Sequence, residues 1–354
     1  MTRPLTLLAL AAALALAGAC KKDDDGDGKA AGGAGKTAAA TESQTPPAVS
    51  GEQLIKVIDG CITSVETWDK EAVRGCYGDK AEVVWVDNIP PSGVDNREAA
   101  VVHAGSIRNA FADYKSERSA ILVNGNKAAA VTLLTGVHKN PSIGIPPTGK
   151  PISLIQIQVA EYDPQGKIIR ARHYVDFSTL LHQLGVVASA SAIKSEKSWT
   201  PIRVVARNDA GEKENLAVVQ RGLEELGKSN VKGALAMYAP DATFRYVPQA
   251  VPGNGISEIE QLIGGYVSLS TGFQLEVADA WAAGDWVVVE MTARGSLAED
   301  LPGWKGSKGK KWQLSSADLF RLAGGKVKEH WSFANGLKFA FDVGIFDPAI
   351  LMGM

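Results

Sequence analysis

From Gly51 the apolar positions follow helical spacing, with Leu54, Val57, Ile58, Cys61, Ile62 and Val65 three or four residues apart. This predicts an amphipathic helix, a turn at Trp68-Asp69, and a second short helix ending at Cys76-Tyr77. The run AEVVWVD then reads as a strand. Farther on the period falls to two: Leu154, Gln156, Gln158 and Ala160 share one face, and Ile155, Ile157 and Val159 share the other. Turn residues at Gly125, Asp163-Pro164-Gln165-Gly166 and Gly324-Gly325 suit antiparallel hairpins between three long strands.

The whole plan occurs twice. Helix LAVVQRGLEEL and SNVKGALAMYAPDATFRYV repeat the opening order after Glu212, with Tyr238 aligned to Tyr77 and Ser229 to Trp68. Without gaps, GNKAAAVTLLTG matches GDWVVVEMTARG, TGKPISLIQIQVAEY matches KGKKWQLSSADLFRL, and GKIIRARHYVD matches GKVKEHWSFAN. Few residues are identical, so order and periodicity carry the correspondence. Helices followed by an antiparallel meander predict an α+β fold with about three helices packed on one face of each curved sheet. The expected domains are residues 51–187 and 212–350, joined by a linker over 188–211 in which Ile202 to Val205 has the pattern of a short strand. In the same alignment Cys61 falls opposite Gly222, a small residue where helices cross closely. Cys61 and Cys76 lie about equally far from the Trp68-Asp69 turn, which fits either a disulfide or two buried thiols.

The N-terminus is different in kind. Residues 1–20 join Arg3 to an apolar run from Leu5 to Ala19, too short for a bilayer span but suited to a signal peptide. Ala17-Gly18-Ala19-Cys20 resembles a bacterial lipobox, which makes Cys20 the expected lipidation site and places the chain on the bacterial envelope, on the periplasmic face or the cell surface. Residues 21–50 are rich in Gly, Ala and charge and lack any aromatic or long aliphatic side chain, the composition of a disordered tether. DDDGDG within it lacks the closing Glu and flanking helices of a calcium loop. With 45% hydrophobic residues, 21% charged residues and a formal net charge of -2 over 354 residues, the chain supports two cores and gives no electrostatic reason to bind nucleic acid.

One stretch of the first copy resembles a known family: TGVHKNPSIGIPPTGKPI, then Gly166-Lys167-Ile168, Asp176 and Gln183-Leu184-Gly185, with Ala110-Phe111-Ala112-Asp113 before them. The pattern is similar to the SnoaL-like polyketide (ester) cyclases of the nuclear transport factor 2-like superfamily. The second copy matches mainly in architecture, through Gly325-Lys326-Val327 and Glu329-His330-Trp331. The resemblance implies two cone domains, each a bent sheet wrapped by helices around an apolar pocket, with single domains pairing through their sheets. Here the copies are expected to pair within the chain or to homodimerise. In family enzymes the pocket closes a ring without metal or cofactor, using an aspartate at the end of the last strand as acid/base.

Asp176 matches that aspartate, and the expected catalytic set is Asp176 with His138 at the pocket mouth. On a regular strand Asp176 shares a face with Arg172 and Tyr174, while His173 points the other way. Arg172 so close is expected to pair with Asp176 and lower its pKa, weakening it as a base. The second copy carries Asn335 at the carboxylate position, and Asn transfers no protons in this role. Tyr174, Arg172, Trp331, Phe333 and Asn335 form the expected ligand-binding set. Asp318, His103 and His182 are read as exposed, and Trp281, Trp286, Trp304 and Trp312 as sheet core and rim. The histidines have no metal-ligand spacing, and neither a phosphate loop nor a nucleophile elbow is present, so no cofactor is expected. Two functions follow: a module binding a small apolar molecule, or a cofactor-free cyclase or isomerase working through Asp176.

Overall fold

The computed structural model describes residues 49–86, 94–142, 144–186, 200–247 and 253–346. The expected signal peptide, Cys20 and nearly all of the tether lie outside these residues. The first unit comprises α1 (Gly51–Thr67), α2 (Lys70–Gly75), β1 (Tyr77–Trp85), α3 (Arg97–Ala110), β2 (Phe111–Asn124), β3 (Lys127–His138), β4 (Pro151–Tyr162), β5 (Ile168–Val175) and α4 (Phe177–Leu184). After β6 (Ile202–Val205) the second unit repeats the order as α5 (Ala210–Gly227), α6 (Val231–Leu235), β7 (Tyr238–Tyr246), β8 (Gly253–Asn254), α7 (Gly255–Ser268), β9 (Ser270–Ala283), β10 (Trp286–Leu297), β11 (Lys311–Ala323), β12 (Lys326–Ala334) and α8 (Gly336–Asp342).

Local chemistry sets the helix ends. Ser50 and Gln53 form a reciprocal capping box at the start of α1. Trp68 ends that helix at a φ of 57°, in the left-handed region, and Asp69 then caps α2 by accepting from Ala72 N. The second copy uses the same device, with Ser229 at a φ of 61° and Asn230 capping α6. The Trp68 ring lies over Gly105 on α3, where a Cβ would fall within 2.5 Å of it. Glycine there lets the turn between the first two helices pack on the third.

Each sheet has six strands, ordered β1-β5-β4-β3-β2-β6 and β8-β7-β12-β11-β10-β9. The β1–β5 and β7–β12 pairs are parallel, β6 adds to β2 in parallel, and the other pairings are antiparallel. The linker strand read at Ile202 to Val205 is therefore present, as an added edge of the first sheet. Each sheet curves around its helices, and these inner faces hold two separate cores, one around Leu54, Val83 and Ile121 and the other around Val219, Phe244 and Phe320.

The outer faces pack against each other. Leu122, Val131, Ile157 and Tyr174 of the first sheet share one cluster with Trp281, Val288, Leu319 and Phe333 of the second. Polar contacts accompany it: Lys127 Nζ meets Asp279 at 2.7 Å, and Asn124 Nδ2 donates to Ala282 O at 2.8 Å. The loss of alternation in the central strands matches this double burial. A strand covered by helices on one side and a second sheet on the other is apolar on both faces, as ILVN and KAAAVTLL are in β2 and β3.

Candidate functional site

The curved inner face of the first sheet lines a cavity of ≈ 100 Å³ beneath α1, α2 and α3. Strand register builds its floor. Ala130, Gln158, His173 and Trp85 lie side by side on β3, β4, β5 and β1, forming one row across four strands. In the next row Thr132 lies opposite Gln156, whose Nε2 donates to Thr132 Oγ1 at 3.1 Å. The helices supply an apolar roof of Ile58, Ile62, Val65 and Ile107. Cys61 and Cys76 also line it and are joined in a disulfide, which ties α1 to the chain just after α2.

None of the side chains lining the cavity is a carboxylate, a lysine or an arginine. Its titratable members are held neutral by burial. The phenols of Tyr77 and Tyr114 are pushed up to about 12, and that of Tyr162 higher still. His173 falls to about 3, because burial disfavours the imidazolium and His103 lies nearby. His173 stacks on Trp85 at 4.0 Å, and His103 stacks on the opposite face of Trp85 at 3.8 Å. Gln158 Nε2 lies 3.1 Å from His173 Nε2, so the amide donates, the imidazole accepts, and the ring proton stays on Nδ1.

The residues singled out from the sequence lie elsewhere. Asp176 follows β5 and caps α4, accepting from Thr179 N at 2.9 Å and from Ser178 Oγ at 2.7 Å. Burial raises its pKa, an effect reduced by those hydrogen bonds. The expected pairing with Arg172 is absent, because Arg172 reaches out of the first domain and meets Glu290 at 2.9 Å. Tyr174 OH donates to the other oxygen of the same carboxylate at 2.9 Å. Arg172, Tyr174, Trp331 and Phe333 share the outward parity of their strands and sit at the contact between the sheets, not in a pocket. Asn335 accepts from Ser315 N at 2.8 Å. His138 is fully buried, with Nδ1 beside Thr148 at 3.2 Å and its ring 5.4 Å from that of Phe111.

The motif that carries the family resemblance thus builds the base of the cone. His138 anchors Thr148, Gln183 makes two 2.9 Å hydrogen bonds to the Ser153 backbone, and the Lys150 ammonium lies against Gly185 at the end of α4. The second copy repeats the last contact with Lys310 and Gly344. A cation at a helix C-terminus is favourable for the last carbonyls. These residues hold the closing helix in place rather than lining the cavity.

Two further expectations are corrected. Asp318 is fully buried, not outward-facing, and bonds His330 Nε2 at 2.8 Å while Tyr238 OH lies 2.7 Å from His330 Nδ1. Burial lowers the His330 pKa despite Asp318. His103 is half-buried against Trp85 rather than exposed. In the second domain Val289, Met291, Phe320 and His330 occupy the positions held in the first by Ala130, Thr132, Ala160 and Ala171. Ser316, Asp318 and Ser332 stand where the first domain has Gln156, Gln158 and His173, so the floor of the first cavity is not repeated in the second. Among the described residues no group of three or more His, Cys, Asp or Glu is arranged to hold a metal ion.

The cavity floor is not marked by charge in the sequence, because the arginines of β5 lie on the face opposite His173. The signal was nevertheless present, in Gln156 and Gln158 recurring at a period of two on a strand otherwise apolar. The comparisons agree with the repeat. A model of the SnoaL-like polyketide cyclase family matches residues 61–184, and a model of the SnoaL-like domain matches residues 219–330. Similar solved structures include IdmH of Streptomyces antibioticus, at 23% identity over 38% of this chain and 99% of that one, with a TM-score of 0.35. TsrD of Streptomyces laurentii is 20% identical over 39% of this chain and 98% of its own, with a TM-score of 0.34. An NTF2-like protein of unknown function from Burkholderia pseudomallei is 17% identical over 37% and 97%, with a TM-score of 0.31. No curated protein matches the chain.

Proposed function

We propose, from the premise that the chain carries two SnoaL-like domains in tandem, that the first domain is a receptor for a small apolar molecule and the second is its scaffold. The observation that carries this reading is the cavity of the first domain, largely apolar and without a carboxylate. Proton abstraction or ring closure needs an acid/base group within reach of the reacting atom. His173, at about 3, is too weak a base for that task near neutral pH, and the Asp176 carboxyl is engaged in capping α4. The second domain covers the outer face of the first sheet.

Solvent deuterium exchange separates the two functions. The full chain is incubated in D2O with panels of ketones and aromatic esters, and exchange next to the carbonyl is followed by NMR together with binding. Binding without exchange is expected. Exchange that disappears in Asp176→Asn would replace the receptor reading with the cyclase or isomerase reading.

We also propose that the chain is exported and held at the bacterial envelope by lipid on Cys20. The support is the N-terminal sequence, with its apolar run, small residues before the cysteine and tether. In cells fed a labelled fatty acid, label should enter the chain and be absent from Cys20→Ala. Equal labelling of the variant would refute the anchor.

A further inference from the structure

The geometry points to an uncharged single-ring alcohol or ketone as the class of ligand for the first-domain cavity. This rests on the receptor reading above and narrows it.

Size comes first. At ≈ 100 Å³ the cavity lies below the range of roughly 300–1,000 Å³ typical of drug-sized ligands. It is closer to the roughly 150 Å³ cavities that accept benzene. Its limits are set by rigid parts: a disulfide on the roof, and a Trp85 indole fixed between two imidazoles. Both faces of that indole are taken, so a ligand ring meets its edge and packs instead between Ile58, Ile62 and Ile107 and the floor.

Charge comes second. With no lining carboxylate, lysine or arginine, an ionised ligand would lose its hydration and gain no counter-charge. The phenols and the imidazole of the wall are themselves neutral, so none of them supplies one.

Hydrogen bonding comes third. Gln156 and Gln158 are each half-buried, and each donates one of its two amide N–H bonds to a neighbour, Thr132 or His173. Their carbonyl oxygens have no partner among the described residues, and neither do the hydroxyls of Tyr77 and Tyr162. The floor and wall therefore offer acceptors and donors to one small polar group on an otherwise apolar body. A hydroxyl uses both kinds, and a carbonyl uses the phenols.

A matched series tests this on the full chain by ligand-observed NMR: benzyl alcohol, toluene, benzoate, benzylammonium and 2-naphthalenemethanol. Benzyl alcohol should bind about tenfold tighter than toluene, the ratio expected for one net hydrogen bond. Benzoate and benzylammonium should bind about a hundredfold more weakly than benzyl alcohol, and 2-naphthalenemethanol should not compete. Ala130→Leu, filling the floor, should abolish binding. Gln158→Leu should bring the ratio of benzyl alcohol to toluene close to one, and that ratio keeps the test valid should Ala130→Leu fail to fold. Charged members binding as well as benzyl alcohol would overturn the uncharged class while leaving the receptor reading intact. Tighter binding of 2-naphthalenemethanol would overturn the single-ring limit in the same way. Failure of every member to bind would overturn both.

Discussion

Replacing His173 with Gln should invert the relative stability of variant and wild type between pH 7 and pH 5. In the folded chain the imidazole pKa is about 3, against an ordinary 6.5. The folded state therefore binds fewer protons than the unfolded state between these values. The contribution is fully present above pH 6.5 and is lost as pH falls toward 3. The slope is about 1.4 kcal/mol per pH unit, so at pH 5 the wild type has lost about 2 kcal/mol. His173→Gln has no such loss. It gives up the stack on Trp85 at all pH values, a cost of about 1 kcal/mol. The wild type should therefore lead by about 1 kcal/mol at pH 7 and trail by about 1 kcal/mol at pH 5, with a crossing near pH 6. Urea unfolding of both proteins in the same buffers measures this, because titrating groups remote from the site, such as His330, cancel in the difference. Curves that stay parallel from pH 7 to pH 5 would show that the imidazole takes up its proton in the folded state, and the neutral cavity argued from its burial would fall with it.

Glu290→Gln removes the counter-charge of Arg172 while leaving an acceptor for Tyr174, and because burial disfavours the carboxylate more than these partners favour it, stability at pH 7 should change by less than about 1 kcal/mol. Burial raises the Glu290 pKa from 4.5, so its contribution is present below that value and is lost as pH rises through the folded one. The lead of wild type over variant should thus be larger at pH 4 than at pH 7 in urea midpoints. Asp176→Ala should lower stability by about 1 kcal/mol and Asp176→Asn by much less, because asparagine caps a helix nearly as well; equal losses in thermal melts would count against the capping role. Changing Cys61 and Cys76 to Ser opens a link between residues 15 apart and should cost about 3 kcal/mol, with dithiothreitol reproducing the loss in the wild type. Sedimentation should give a monomeric mass for residues 51–346, whereas residues 51–187 alone, with Leu122, Val131 and Ile157 uncovered, should self-associate.

How much of this was legible in the sequence depends on the kind of interaction involved. The helix at Gly51, the two-residue period of β4 and the duplicated order are local or periodic properties, and each is present where the apolar spacing put it. Strand parity was also readable: Arg172 and Tyr174 do share one face, and His173 does take the other. What parity could not supply was the meaning of each face. Both faces of the first sheet are covered, one by helices and the other by the second sheet, so a polar residue on either face can be drawn into a contact. Only packing distinguishes the face that lines a cavity from the face that joins two domains. Asp176 shows the same limit, since a carboxylate at a strand end has one sequence signature whether it caps the next helix or serves a pocket. The duplicated order determined that this chain folds twice. Only the tertiary structure decided that Ala130, Gln158, His173 and Trp85 form the floor of one cavity, because residues on four separate strands share a row only once register has brought them together.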